Sequence, residues 1–279
     1  GVSQKKVEAA STGKLSVTGY QDYSDAQKIL KEVNKYRKKN GRKALKMDRG
    51  LTNSAIMRGF ETTIYIPETS PHRRPNGKLS KSINKKIIYE NCAQSAGTTP
   101  KQIVKGWINS STHRKGLLLS NAKSVGVAAV TVVSRDGYEA NTWVLDFSSS
   151  KAKKVEKSKA RKQFTKNIVT KNSYLKKSYL KLDSRYGTIW ETEKMQMKPT
   201  YQGKMMKEYG VYPTVINTSS FTSWKSSNPS VASVDSNGRI TGNKAGTVTI
   251  SAKLKTGTKI TISKKIKVVP TNQQIDPWE

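Results

Sequence analysis

The stretch "TTPKQIVKGWINSSTHRKGLL" (residues 98–118) decides the fold of the first half of this chain. It begins with a helix-start signature: Thr99 serves as the N-cap, Pro100 fills the first turn, and Gln102 completes a capping box. Four apolar residues follow at helical spacing and predict a face packed on a core: Ile103, Val104, Trp107 and Ile108. The stretch therefore predicts one well-bounded helix.

The same stretch contains one of the chain's only two histidines. The helix is predicted to end near Ser110, which places His113 in the turn just beyond it. The other histidine, His72, lies in a loop predicted over residues 65–88. Each histidine is followed directly by an arginine. A chain with 52 Lys and Arg but two His makes these imidazoles candidates for one site.

Further elements are predicted on either side of this stretch. Two helices are expected before it and two strands after it: residues 24–41, 49–63, 124–133 and 141–147. The first helix is expected to begin at a capping box formed by Ser24 and Gln27, and the second at Asp48. The order of elements predicts an α+β domain over residues 24–147, preceded by an extended lead-in at residues 1–23.

The second half has a different pattern. A run dominated by lysine and serine, with few apolar residues, predicts a basic linker over residues 148–165. Short alternating strands separated by frequent turn signals then predict an all-β sandwich over residues 166–279. Its expected interior residues are Trp224, Val231, Val234, Ile240, Val248, Ile250, Leu254 and Ile262.

The chain of 279 residues carries a formal charge of +33, with +15 in its first 150 residues and +18 in the rest. Such a field attracts polyanions, although it is also compatible with a merely solubilising surface. The nucleic-acid interpretation has no supporting motif, so no specific nucleic-acid partner is expected. No apolar run has the length of a membrane span, so no transmembrane segment is expected.

The single cysteine, Cys92, excludes an internal disulfide. In its sequence context it is expected to be a buried small apolar side chain rather than a nucleophile.

Five blocks, in order, resemble the CAP superfamily of cysteine-rich secretory, antigen-five and pathogenesis-related proteins. They are "VNKYRKKNG" (33–41), "HRRPNG" (72–77), "YENCA" (89–93), "GWINSSTHRKGLL" (106–118) and "VGVAAV" (125–130). The resemblance is to the bacterial extracellular (SCP-like) type, and it implies an α-β-α sandwich with a central cleft.

The resemblance implies that the cleft gathers His72, His113 and Glu90. A second glutamate of many eukaryotic members falls on Ser110 here, which weakens any mechanism that needs two carboxylates. The three groups could bind zinc or another divalent cation, or could act in acid–base chemistry. A small lipid or peptide ligand in the cleft is a further expectation.

Residues 176–269 resemble the group-two bacterial immunoglobulin-like domain through "WKSSNPSVASVDSNGRITGNKAGTVTISA" (224–252). This resemblance implies an extracellular spacer or adhesion module. The sequence therefore predicts a secreted, wall-associated binding protein whose partner is an anionic wall polymer or a cell surface. The alternative is an extracellular peptide or ester hydrolase using His72, His113 and Glu90.

Overall fold

The computed structural model describes residues 11–64 and 72–276. The chain divides into two compact units, which are taken separately below. The first contains Val17–Ile168 and Tyr201–Val215. Its elements are β1 (Thr12–Asp22), α1 (Tyr23–Lys39), β2 (Lys46–Met47), α2 (Arg49–Ile64), β3 (Ile87–Ser95), α3 (Pro100–Ile108), α4 (Ser111–Leu117), β4 (Ser124–Val133), β5 (Glu139–Ser148) and β6 (Arg161–Lys171).

The centre of this unit is a sheet in the order β3-β5-β4-β1-β6, with β2 beside β4. Odd-numbered residues of β4 and β5 face α1, α3 and α4 and form a buried cluster with them, for example Val127 and Leu145. The intervening even-numbered residues face α2, because strand side chains alternate between the two sides of a sheet. The expected α-β-α sandwich is therefore confirmed.

Helix α2 lies unusually close to the sheet at Gly126 of β4. A Cβ atom at this position would stand 2.2 Å from the Leu51 backbone, and one at Gly59 of α2 would stand 2.8 Å from Val130. Two glycines on facing elements let the helix backbone approach the strand directly. Because of this close approach, the middle of α2, including Arg58, lies directly on the sheet.

Several predicted elements are confirmed residue by residue. Helix α3 has the capping box of Thr99 and Gln102, and Trp107 is a core residue that is 2% exposed. Asp48 caps α2 through a hydrogen bond from Leu51 N to its Oδ2 atom (2.9 Å). The capping box expected at Ser24 is wrong, because α1 begins one residue earlier and Asp22 Oδ1 accepts from Asp25 N (2.9 Å).

Two segments expected to lack regular structure contain strands. Residues 12–22 of the expected lead-in form β1, while residues 1–10 lie outside the described residues. The expected linker of residues 148–165 runs into β6, which begins at Arg161. Both strands owe their existence to pairing with distant parts of the chain, which local periodicity does not reveal.

Among the described residues, the second unit contains 11–16, 169–200 and 216–276. Its strands are β7 (Leu180–Ser184), β8 (Thr188–Trp190), β9 (Lys194–Tyr201), β11 (Phe221–Ser226), β12 (Ala232–Val234), β13 (Arg239–Gly242), β14 (Gly246–Leu254) and β15 (Thr261–Val269). Strand β10 (Thr214–Val215) and helix α5 (Lys204–Glu208) belong to the stretch that folds with the first unit.

The strands of the second unit form two sheets, as expected for a sandwich. One has the order β11-β14-β15-β8, and the other contains β9-β13-β12 with β7 beside β9. Six of the eight expected interior residues are buried: Val231, Ile240, Val248, Ile250, Leu254 and Ile262. Trp224 and Val234 are only partly buried.

Candidate functional site

The first histidine of the site stands at the base of a short turn. His72 O accepts from Ser80 N (2.8 Å), and an isolated bridge joins Arg73 to Leu79. The turn is tied to α2 by Arg74, whose Nε lies 3.0 Å from both carboxylate oxygens of Glu61. Arg74 therefore anchors the turn on α2, and this anchor fixes where His72 sits.

Glu90 of β3 is the centre of the site. Its register partner across the sheet is Asp146 of β5, and its carboxylate meets Arg58 of α2. Arg58 donates from Nε to Oε2 (3.1 Å) and from Nη2 to Oε1 (3.0 Å), while His72 Nδ1 lies 3.0 Å from Oε1. The sequence-predicted pair of His72 and Glu90 is thus in direct contact.

The Glu90 carboxylate is in contact with four donors. Besides the three contacts above, Cys92 Sγ donates to Oε1 (3.2 Å). Three of the four contacts fall on Oε1 and one on Oε2. Burial alone would raise the pKa of Glu90, but the His72 hydrogen bond and the Arg58 charge outweigh it and hold that pKa well below its usual range. Glu90 is therefore an anion that holds His72 by its Nδ1 side.

Arg58 also binds a second buried carboxylate. Its Nη1 donates to Glu61 Oε1 (3.1 Å), and the side chains of Arg58 and Glu61 are 0% and 1% exposed. One guanidinium thus connects Glu90, which holds His72, with Glu61, which holds Arg74. A buried charge persists only with such pairing, because removing it from water is costly.

Asp146 is the unsatisfied member of the group. It is completely buried, and neither carboxyl oxygen meets a donor among the described residues. Burial, followed by the negative charge of Glu90, raises the pKa of Asp146 well above its usual range. The raised pKa favours the protonated form of Asp146, whose proton can be donated to Glu90.

The second histidine lies on α4, a short helix where a turn was expected. Asn91 Nδ2 donates to His113 O (2.9 Å), and Tyr89 Oη donates to Thr112 O (2.6 Å), so both bonds hold α4 on β3. Gly116 permits the close approach, since a Cβ there would lie 2.7 Å from the Tyr89 ring.

The two imidazoles line one cleft of about 560 Å³, together with Glu90, Tyr89 and Thr112. Burial, and then the proximity of His72, lower the pKa of His113. A lowered pKa keeps this imidazole neutral at pH 7, the state in which its nitrogen can bind a cation. The structure therefore brings all three sequence-predicted site residues, His72, Glu90 and His113, to one place.

The donor atoms of His72, Glu90 and Cys92 lie within 4.8 Å of one another, which raises the question of a metal site. Only part of this group fits a cation. Glu90 already accepts from several donors, and burial raises the pKa of the Cys92 thiol well above its usual range, which disfavours the thiolate that metals bind. The groups with suitable chemistry are the imidazoles of His72 and His113.

Sequence reasoning missed Arg58, Glu61 and Asp146. Arg58 and Glu61 lie in a helix in which eleven residues are buried, and Asp146 interrupts the apolar run of β5. A charged residue inside an apolar run is the signal that could have identified them, because such residues are buried only with partners.

The fold and the site together define the class of protein. It is an α-β-α sandwich with two histidines in one cleft, followed in the chain by a β-sandwich. Residues 30–147 match the CAP family (cysteine-rich secretory protein family), and residues 202–266 match the bacterial Ig-like domain, group 2. The chain thus carries a CAP domain followed by a group-two bacterial Ig-like domain.

A sequence relative is the protein YkwD of Bacillus subtilis, which is 31% identical over 130 residues. The match covers 45% of this chain and 48% of YkwD, so the chain spans about half the length of that relative.

Two solved structures are among those similar to this chain. An extracellular SCP-domain protein from Bacillus anthracis is 21% identical, with 44% of this chain and 41% of that chain covered and a TM-score of 0.32. An intimin mutant from EHEC O157:H7 is 22% identical, with 33% and 44% covered and a TM-score of 0.21. Across the part of the chain that the structure describes, helices are all too short or too polar to cross a membrane.

Proposed function

We propose that the CAP cleft binds a divalent cation such as zinc through His72 and His113. The observation that supports this proposal is the pair of imidazoles on one cleft, with His72 held from its Nδ1 side by Glu90. A cation would be bound through the other ring nitrogen, Nε2. A carboxylate behind a ligating histidine orients the ring and increases its basicity. Glu90 is thus assigned to position His72 rather than to contact the cation.

A bound cation would supply Lewis acidity and coordination positions for an incoming ligand. The chain's own residues would bind the cation and hold its ligands in position. Helix α4 fixes the position of His113, and the Arg58–Glu61–Arg74 connection fixes the turn that carries His72. Leu79 and Ile88 add exposed apolar surface to the cleft (47% and 42% exposed), which suits a peptide or lipid ligand.

Calorimetric titration of zinc into four proteins tests this proposal. We expect binding to the wild type, none to the His72→Ala/His113→Ala double variant, and a 10- to 100-fold weaker affinity, roughly, for Glu90→Gln. Cys92→Ser is the control, and its affinity should equal that of the wild type. Identical heats for the wild type and the double variant would overturn the proposal.

Hydrolysis of a peptide or ester is the second candidate, and the contact between His72 and Glu90 favours it. A histidine oriented by a carboxylate is the usual arrangement of a general base. The neutral Cys92 thiol does not provide a nucleophile, so water would have to be the attacking group. A panel of peptide and ester substrates tests this candidate, with the double histidine variant as control. Turnover by the wild type that is absent from the variant would establish hydrolase activity.

We further infer that the protein works outside the cell, at the cell wall. Three features support this: the +33 charge, the Ig-like domain, and the extracellular SCP-domain protein among its structural neighbours. The Ig-like domain would display the CAP domain, and anionic wall polymers would hold the protein through many weak charge contacts.

A further inference from the structure

The unit that contains the CAP domain has a second cavity, which we call the tyrosine pocket. It has a volume of about 300 Å³ and lies between the end of α2, the end of β3 and the start of β5. Its remaining wall is the segment Gly210–Tyr212, which lies outside the CAP match. The tyrosine pocket shares no lining residue with the histidine cleft.

Three contacts hold this extra wall in place. Thr214 Oγ1 donates to Thr63 O at the end of α2 (2.9 Å), and an isolated bridge joins Thr214 to Ser134 in the turn between β4 and β5. The rings of Tyr138 and Tyr212 stack with their centroids 5.1 Å apart and an angle of 9° between their planes. The pocket is thus formed before any ligand arrives.

The stacked rings are unusually accessible. Tyr138 is 58% exposed and Tyr212 is 57% exposed, although packing against each other already covers part of each ring. Exposed aromatic surface gathered beside a cavity marks a binding site more often than scattered apolar residues do. Tyrosine is also well suited to recognition, because it offers a flat ring face and a polar hydroxyl.

Gln94 supplies a fixed polar group to the pocket on the α2 side of the sheet. Its Nε2 donates to Thr62 O, which fixes the side chain, and within the described residues its Oε1 has no hydrogen-bond partner. The lining also contains the hydroxyl-bearing residues Thr63 and Thr142. The pocket therefore offers an oriented acceptor to a ligand.

The charge of the pocket argues against an anionic ligand. The chain has 52 Lys and Arg, yet none lines the tyrosine pocket, and its one charged lining residue, Glu139, lies 3.8 Å from Arg161. A cavity of about 300 Å³ is at the lower end of the roughly 300–1,000 Å³ range of small-molecule sites. The pocket thus suits a small ligand that carries no negative charge and can donate a hydrogen bond to Gln94.

We propose that the tyrosine pocket binds a neutral saccharide. A sugar ring has a flat face of C–H groups that can lie on the outer face of Tyr138 or Tyr212. Its edge carries hydroxyl groups, and in N-acetylated sugars an amide N–H, that can donate to Gln94 Oε1. This site is independent of the cation proposal, because it uses none of the cleft residues.

The test uses the full chain and two uncharged probes, chitotriose and cellotriose, measured by calorimetry. At least one should bind the wild type, and Tyr212→Ala should weaken binding about tenfold or more. Tyr209→Ala is the matched control, because Tyr209 is 69% exposed in the same segment but does not line the pocket, and it should bind as the wild type does. The His72→Ala/His113→Ala variant should also bind normally.

The salt dependence of binding distinguishes the tyrosine pocket from non-specific attraction by the positive charge of the chain. Binding should change less than twofold between 50 mM and 500 mM NaCl, because no basic residue lines the pocket. Failure of both sugars to bind, equal affinity for Tyr212→Ala and the wild type, or loss of binding in high salt would each overturn the proposal. Unchanged circular dichroism and melting temperature of Tyr212→Ala would show that its loss of binding is not unfolding.

Discussion

Arg58 is the residue on which the geometry of the histidine cleft depends. It is fully buried and bonded to Glu90 and Glu61, and through them it reaches His72 and Arg74. Burial works against its charge, but the two carboxylates, chiefly Glu90, raise the pKa of Arg58, so it stays a cation at every accessible pH. The consequences can be tested one residue at a time.

Replacing Arg58 with methionine should destabilise the protein strongly. The side-chain volume is roughly kept, but Glu90 and Glu61 lose their buried counter-charge, which typically costs about 3–5 kcal/mol. Urea unfolding measures the loss. Arg73→Ala is the control: Arg73 is exposed and its side chain donates to Gly77 O (3.0 Å), so its loss should change stability by less than about 0.5 kcal/mol. A small effect of Arg58→Met would contradict the assigned role.

Replacing Asp146 with asparagine should change the pH dependence of stability. Folding raises the pKa of Asp146, so the folded state keeps a proton that the unfolded chain releases above its ordinary pKa near 4. The wild type therefore loses stability from this group as pH rises above about 4. Asparagine removes that loss, so the melting temperature of the variant relative to the wild type should increase from pH 5 to pH 8. A constant difference would show that Asp146 is ionised.

Zinc binding should weaken on acidification. Protons compete with a cation for the imidazole nitrogens. Because the pKa of His113 is lowered, protonation of His113 displaces the cation only at a lower pH than it would for an ordinary histidine. Titration of zinc at pH 7.5, 6.5 and 5.5 should show a falling affinity. An affinity independent of pH would exclude imidazole ligands.

At the scale of elements, the contact between α2 and β4 determines the site. Arg58 reaches Glu90 because α2 lies directly on the sheet at Gly126, where a Cβ would overlap the Leu51 backbone. The sequence shows an apolar strand containing a glycine, but the facing glycine in α2 and the lowered helix follow only from the packed structure.

Gly126→Ala should therefore destabilise the unit by about 1–3 kcal/mol, because the helix backbone must shift to admit a methyl group. It should also weaken zinc binding by moving Arg58 away from Glu90. The matched control is Gly106→Ala in α3, where a Cβ meets nothing within 4 Å. That change should stabilise its helix by about 0.5–1 kcal/mol. Urea unfolding of both variants provides the comparison.

Local signals and long-range pairing explain what could be predicted from sequence. The limits of α3 were predictable because its capping box and proline act within four residues. The start of α1 was not, since Asp22 and Ser24 are both good caps and the path of β1 decides between them. Strands β1 and β6 were missed because they pair with each other and β4 across more than a hundred positions.

The residues of the candidate site were likewise predictable only where a local sequence motif identifies them. His72, His113 and Glu90 could be assigned through their motifs, but Arg58 and Asp146 belong to no motif. Their role depends on three elements meeting at one point, which a single sequence does not display.

At the scale of the molecule, the charge of +33 is spread over both halves of the chain. Retention on purified anionic wall fragments should be strong in 50 mM NaCl and largely lost in 500 mM NaCl, because salt screens exposed charges. Co-sedimentation measures it. Neutralised fragments, with their phosphates removed, serve as the control and should retain little protein. Retention that does not change with salt would contradict charge-driven association.

The segment Tyr201–Val215 has a consequence for how this protein can vary over evolution. It begins at the last residue of β9 but groups with the CAP unit, where Gly210–Tyr212 form one wall of the tyrosine pocket. A genetic exchange that replaced everything after residue 165 would remove this wall. We therefore expect that a new module joined to the first half would have to supply its own equivalent of these fifteen residues for the pocket to be kept.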